Sequence, residues 1–149
     1  MNTPSSSNIC IETVSNAPRE LQEQINKGLL EHNQAQLGSE LNSRYQRLVV
    51  AARNEAGDVV GGILGYMVWD FTHIDTLWVA ESHRGLDIGT QLMDQAEQEA
   101  IALGFPHISL ETTSFQALAF YQKRGFTIAG QVPNKPKGHT WYYLEKDLS

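Results

Sequence analysis

The chain is predicted to fold as an α+β domain: a mixed, mostly antiparallel twisted sheet of about six to seven strands, flanked by helices and crossed once near its middle by a strand-helix-strand connection. Three observations predict this. The stretch Leu77 to Leu92, LWVAESHRGLDIGTQL, runs a strand end into a glycine-bearing turn and then into a helix. Leu77, Trp78 and Val79 have β-favouring apolar character, whereas Ile88, Leu92, Ala96, Ala100 and Leu103 recur at the helical period. Asn54-Glu55-Ala56-Gly57-Asp58 separates two strand-like runs with the residues of a hairpin connection. No further β-α-β alternation fills the chain, which leaves the remaining strands to pair with antiparallel neighbours.

Taken in order, Ile9 to Val14 reads as a strand with Cys10 buried in it, and Pro18 to about Gln36 as a helix. Pro18 and Glu20 suit its first turn, and Leu21, Ile25 and Leu29 share a face. Gly38 to Arg47 shows no clear preference. Leu48 to Arg53, Val59 to Trp69 and Thr72 to Val79 are strands. A helix from about Gly89 to Leu103 is capped by Gly104, and His107 to Glu111 is the strand after it. A second helix follows over Phe115 to Phe126, with Ser114 as N-cap, Ala117, Phe120 and Tyr121 near one face, and Gly125 as a left-handed cap. Phe126 to Gln131 and Thr140 to Lys146 complete the sheet.

With 149 residues, 41% of them apolar, one compact domain spanning residues 1–149 is expected, residues 1–7 with their serine run Ser5 to Ser7 forming a flexible tail. MNTPSSSNIC has neither the basic start nor the apolar run of a secretory signal, and no segment is long enough to span a bilayer. A cytoplasmic protein without a membrane partner is the expectation. A lone Cys10 and the lack of a Cys/His cluster at ligand spacing leave neither an internal disulfide nor a metal site expected. A formal charge of −6 argues against a nucleic-acid partner.

Between the strand end at Val79 and the helix lies Arg84-Gly85-Leu86-Asp87-Ile88-Gly89-Thr90. A turn there aims unpaired backbone N–H groups and the positive end of a helix dipole at one point, which suits a phosphate or pyrophosphate; the bland alternative is a simple connection. Further on comes FQALAFYQKRGF. In this order and spacing the two segments resemble the GNAT acyltransferase superfamily. Its signature, Q/R-x-x-G-x-G/A after a strand, is matched by Arg84, Ile88 and Gly89, with Asp87 standing where glycine is called for. Ala117, Phe120, Tyr121, Gly125 and Phe126 match the later pattern, with Ser114 where Asn is usual. With Gly61-Gly62 on a preceding strand and Pro136-Lys137-Gly138-His139 before the last, the likeness covers roughly Leu48 to Leu148.

The resemblance implies acetyl-CoA as co-substrate and no metal. It also implies a splayed central parallel strand pair, Thr72–Val79 and His107–Glu111, whose first member pairs through its backbone with the pantetheine arm. Coenzyme contacts would then come from Leu77, Trp78 and Val79 through their backbones, and from Arg84, Gly85, Leu86, Asp87, Ile88, Gly89 and Thr90. The side chains of Trp78 and Val79 would pack in the core. Tyr121 falls where the family has its general acid; the alternative for it is an aromatic packed in the core. For the base, Asp75, His73 and Glu111 are candidates: Asp75 and His73 alternate onto one strand face, and Glu111 ends the neighbouring strand. His139 sits in a loop where polar residues often touch ligands. Trp69, Trp141 and Tyr142 have an acceptor pocket or cross-strand packing open to them. Glu81, Glu97 and Glu99 read as solvated charges and Lys146 as an ordinary surface lysine.

The expected activity is transfer of an acetyl group from acetyl-CoA to a primary amine of a small molecule, by direct attack in a ternary complex. A silent acyl-CoA sensor and acetylation of a protein or peptide amine are the alternatives, and a homodimer is left open. Asp87 places a carboxylate near the pyrophosphate. Its replacement by glycine is expected to tighten coenzyme binding and to lower the stability of the empty protein slightly.

Overall fold

A computed structural model of the chain describes residues 8–149, so the expected tail over residues 1–7 lies outside the described residues. The chain resolves into two compact units, Met1–Gly38 and Ser39–Ser149. In the first, α1 (Arg19–Leu37) starts after an extended Pro18 and ends at Gly38, whose φ of 83° is a left-handed stop and whose N–H donates to the Gln34 carbonyl at 2.9 Å. The strand expected over Ile9 to Val14 is absent. Those residues carry local β character, but their backbone groups join no ladder and Ile11 is 93% exposed. Cys10 is accordingly exposed rather than buried.

The second unit comprises α2 (Ser39–Asn42), β1 (Tyr45–Arg53), β2 (Val59–Val68), β3 (Phe71–Val79), α3 (Ile88–Leu103), β4 (His107–Thr113), α4 (Leu118–Lys123), β5 (Thr127–Pro133) and β6 (Thr140–Asp147). A short 3₁₀ turn, Glu81–His83, precedes α3. The strands form one six-stranded sheet in the order β1-β2-β3-β4-β6-β5, antiparallel throughout except for β3 against β4. α3 makes the crossover between that parallel pair. Its Leu92, Met93, Ala96 and Ala100 join Ile63, Met67, Ile74, Ile108, Leu110 and Leu144 of the strands in the core. The β1–β2 hairpin is closed by Asn54, whose Oδ1 accepts from the Asp58 N–H at 2.9 Å. Among the described residues no helix is long and apolar enough to cross a membrane.

One expected element is much shorter. α4 starts at Leu118 because Ser114 is drawn to β6: its N–H donates to the Thr140 carbonyl at 2.9 Å and its Oγ accepts from the Thr140 N–H at 3.1 Å. Ser114 therefore caps no helix, and the turn after it is closed by Gln116, whose Oε1 accepts from the Thr113 N–H at 3.1 Å. Gly125 does adopt the expected left-handed conformation, with φ of 94°.

The feature that positions the site is a register irregularity. β2 pairs Leu64 with Thr76 and Gly65 with Ile74, so Asp75 is an extra residue on β3. Such a bulge bends its strand and adds twist. On the other side, β3 pairs with β4 only from Phe71↔His107 to Ile74↔Leu110. Beyond Ile74 the parallel pair opens. Gly65 is required at the bulge, since a Cβ there would lie 2.3 Å from the His73 carbonyl oxygen.

Candidate active site

The opening between β3 and β4 is a cavity of about 820 Å³. Residues 74–79 of β3 line one wall, Leu110, Glu111 and Thr112 the other, and Ala117, Phe120 and Tyr121 of the α4 region close one end. Asp75, Leu77, Trp78, Val79, Arg84, Gly89, Glu111 and Tyr121, named from sequence, thus share one cavity. A contiguous pocket of about 240 Å³ adds Gly85, Asp87, Ile88 and Thr90. Leu86 lines neither pocket and is 60% exposed, its side chain carried outward by the left-handed residues on either side of it.

The turn into α3 is built from two residues in the left-handed region, Gly85 at φ 80° and Asp87 at φ 60°. Asp87 occupies the N-cap position, yet its side chain makes no capping hydrogen bond; its carbonyl accepts from the Gln91 N–H at 3.0 Å. Replacing it by glycine therefore forfeits no cap bond, and the expected loss of stability rests on the helix-dipole attraction and chain entropy. Earlier first-turn amides of α3 have no acceptor within the helix, and their residues Ile88, Gly89 and Thr90 line the smaller pocket. Arg84 ties the turn to β3 through Nε, which donates to the Val79 carbonyl at 3.3 Å. Gly89 packs beneath Phe120, its Cβ position 3.7 Å from the ring.

Tyr121 is 6% exposed and meets Phe120 and Phe126 edge-on, with ring centroids 5.2 and 5.7 Å away. Burial pushes its phenol up to about 12, so the group carries its proton throughout the neutral range. Core packing and access to the cavity coexist at this residue. Trp78 departs from the core packing expected of it and is 48% exposed. The bulge shifts the alternation by one, turning Leu77 and Val79 toward the core and Trp78 away.

His73, a candidate base, does not line this cavity: its Nδ1 hydrogen-bonds Ser109 Oγ at 2.9 Å, and its Nε2 lies 3.7 Å from Asp75 Oδ1. The Tyr66 ring packs on His73 at 5.4 Å. Its phenol is raised by burial first, then by the carboxylates of Asp75 and Glu111, which places all three groups in one region. Tyr66 was not legible as a site residue: it lies in an apolar run, GGILGYMVW, and only the β2–β3 register, which pairs it with His73, brings it there.

Other candidates are engaged in structure. His139 packs edge-on to Phe115 at 4.8 Å. Trp69 donates through Nε1 to Asn42 Oδ1 at 3.3 Å, and Tyr142 packs against the core. The Lys135 ammonium covers the Trp141 ring at 4.6 Å. Glu97 and Lys146 correct their sequence reading. Glu97 is buried at 9% exposure, accepts from Lys146 Nζ at 2.6 Å, and pairs with Arg124. Its cationic partners lie far along the chain, and only the fold brings them to a helix position flanking the apolar stripe. Among the described residues no group of three or more His, Cys, Asp or Glu is placed to hold a metal ion.

Sheet, crossover and opened parallel pair are those of an acyl-CoA-dependent acetyltransferase. The chain belongs to the acetyltransferase (GNAT) family, whose family model matches residues 13–126. It is 38% identical over 98 residues to blasticidin-S acetyltransferase of Streptomyces morookaense, covering 65% of this chain and 72% of that protein. An acetyltransferase crystal structure from Bacillus cereus superimposes with a TM-score of 0.81 at 35% identity, over 92% of this chain and 98% of the other. A Bacillus anthracis protein described as a streptothricin acetyltransferase, solved with acetyl coenzyme A, aligns with a TM-score of 0.60 at 26% identity, over 68% and 62% of the two chains. Acetyl-CoA as co-substrate fits the residues present: an open strand edge on β3, and a helix N-terminus beside Arg84.

Proposed function

We propose that the protein acetylates a primary amine of a small molecule by direct attack on acetyl-CoA in a ternary complex. The observation that carries this reading is the convergence of Tyr121, Asp75 and Glu111 on the single cavity opened by the bulge. The backbone of Leu77 to Val79 would pair with the pantetheine arm, and Arg84 with the turn to Thr90 would hold the pyrophosphate. The acceptor arrives as an ammonium between Asp75 and Glu111, which take one proton directly or through a water. The neutral nitrogen attacks the thioester carbonyl, whose developing oxyanion is stabilised by backbone N–H groups of the open β3 edge. Collapse breaks the C–S bond and expels the thiolate, and Tyr121 supplies its proton, later recovered from solvent. The second proton on nitrogen leaves to the same carboxylates, giving an amide and free coenzyme A.

Relatives described as blasticidin-S and streptothricin acetyltransferases make an amine-bearing antibiotic the acceptor class to try first. A second reading, a silent acyl-CoA sensor, draws support from Asp87 at the motif glycine. Thiol release from acetyl-CoA over a panel of such amines separates the two. Turnover on at least one amine is expected, falling by about 10²–10⁴-fold in Tyr121→Phe with coenzyme affinity retained. Binding without turnover on every amine would establish the sensor, and near-normal turnover in Tyr121→Phe would remove Tyr121 from the chemistry.

A further inference from the structure

Tyr121 can protonate a leaving thiolate only if it is held at a set distance from the coenzyme, and the coenzyme's anchoring turn belongs to a different helix. Tyr121 sits on α4, a helix of 6 residues, and the turn opens α3. Phe120 of α4 lies over Gly89 of α3, and Arg124 supplies the polar link between the two. Arg124 ends α4, its backbone N–H donating to the Phe120 and Tyr121 carbonyls at 3.3 and 3.0 Å. Its guanidinium then runs along α3. Nη1 donates to the Thr90 carbonyl at 3.5 Å, Nη2 to Asp94 Oδ1 at 2.8 Å, and the same group pairs with Glu97.

Thr90, Asp94 and Glu97 form one stripe of α3 at helical spacing, and Thr90 belongs to the first turn, at the proposed pyrophosphate site. Glu97 is held from the opposite side by Lys146 of β6. Arg124 and Glu97 side chains are each 12% exposed, so neither can exchange this partnership for water. We propose that Arg124 is a positioning residue: it registers α4, and with it Tyr121, against the N-terminal turn of α3. The inference rests on Tyr121 being the acid. Lysine would keep the charge beside Glu97, but a single ammonium cannot span three acceptors along a helix as a planar fork can.

A double-mutant cycle of Arg124→Lys and Tyr121→Phe tests this, reading kcat, acetyl-CoA Kd and melting temperature in the full chain. Misplacement by about 1 Å costs on the order of 10²-fold, so Arg124→Lys is expected to lower kcat by about 10- to 100-fold. Coenzyme affinity should stay within about threefold, because Arg124 meets the turn at the Thr90 carbonyl, at 3.5 Å, and not at the amides that would face a pyrophosphate. In the Tyr121→Phe background the same substitution should change kcat by less than about twofold, since the proton it positions is already gone. Equal losses in both backgrounds, or an unchanged kcat in Arg124→Lys alone, would overturn the positioning role while leaving Tyr121 as the acid. A Tyr121→Phe protein with full turnover would sink both. Where Arg124→Lys fails to fold, Asp94→Ala, at a side chain that is 53% exposed, removes the acceptor of one strand of the link and is read in the same cycle.

Discussion

Asp87→Gly separates two effects that act at one residue. Asp87 holds φ 60° and ψ 20° at the N-cap of α3, with no capping hydrogen bond from its side chain. The left-handed conformation costs an L-residue on the order of 1 kcal/mol, somewhat less for Asp, and glycine relieves it. Against that, glycine adds about 0.4–1 kcal/mol of unfolded-chain entropy, and the lost carboxylate gives up about 0.3–1 kcal/mol of helix-dipole attraction. No cap bond is sacrificed, so the sum lies within about 1 kcal/mol of zero and the melting temperature should move by no more than about 4 °C. Coenzyme binding should respond more strongly. A carboxylate about 4 Å from a phosphate repels it by roughly 1–4 kcal/mol at surface-like dielectric, so removal should tighten acetyl-CoA binding by at least about fivefold at low salt. At 1 M salt, where the screening length is about 3 Å, most of that gain should vanish. Calorimetry at the two salt concentrations measures it, with Asp87→Asn as the companion that removes charge but keeps a residue tolerant of the left-handed region. Asn should give most of the glycine gain. Weaker binding in either variant would mean that the carboxylate organises the turn, and the repulsion argument would fail.

Two other outcomes follow from the geometry. Gly65→Ala forces a Cβ to within 2.3 Å of the His73 carbonyl, so β2 and β3 must part at the bulge; a loss of about 1–3 kcal/mol is expected by urea denaturation, together with lower turnover, and full retention of both would show that the bulge does not set the opening. Because Tyr121 is raised to about 12 in the folded chain from an ordinary value of 10.0, the folded form keeps a proton that the unfolded form loses between those values. Its stabilising contribution is complete below pH 10 and declines by up to about 1.4 kcal/mol per pH unit above it. Tyr121→Phe should flatten that alkaline decline in a stability-against-pH series, and an unchanged slope would assign it to another group.

What could be read from sequence follows from how locally each feature is determined. α1, α3 and the β1–β2 hairpin rest on periodicity, Pro18, Gly104 and the Asn54–Asp58 turn, all short-range signals; they stand within a residue of their expected bounds except that β1 begins at Tyr45, three residues before Leu48. The glycine-bearing turn into α3 was legible for the same reason. Ser114 misled because its cap propensity is real but is satisfied by Thr140 of a later strand. Glu97 misled because a glutamate on a helix is ordinarily solvated, and its partners Arg124 and Lys146 lie 27 and 49 residues away. Ile9 to Val14 shows the limit of strand propensity without a partner strand.

The site itself depends on a count that no single strand reveals. β3 carries one residue more than β2 requires, and that excess exists only because Gly65 lets the His73 carbonyl approach so closely. Before Asp75 the buried positions are Thr72 and Ile74; after it the inward set is Leu77 and Val79, with Asp75 and Thr76 both exposed between them. A strict alternation read through Asp75 therefore places Trp78 in the core, where it is not. The same slip ends the pairing with β4 at Ile74↔Leu110 and leaves the backbone edge of the next residues unpartnered. The proposed pairing of the coenzyme with that edge asks nothing of side chains, so a change at Trp78 is not expected to disturb it. Asp75, by contrast, is set at the point of the bulge where the cavity begins, next to Tyr66 and across from Glu111. Under the proposed reaction, the side chains there can differ with the acceptor while the backbone proposed to hold the coenzyme stays the same.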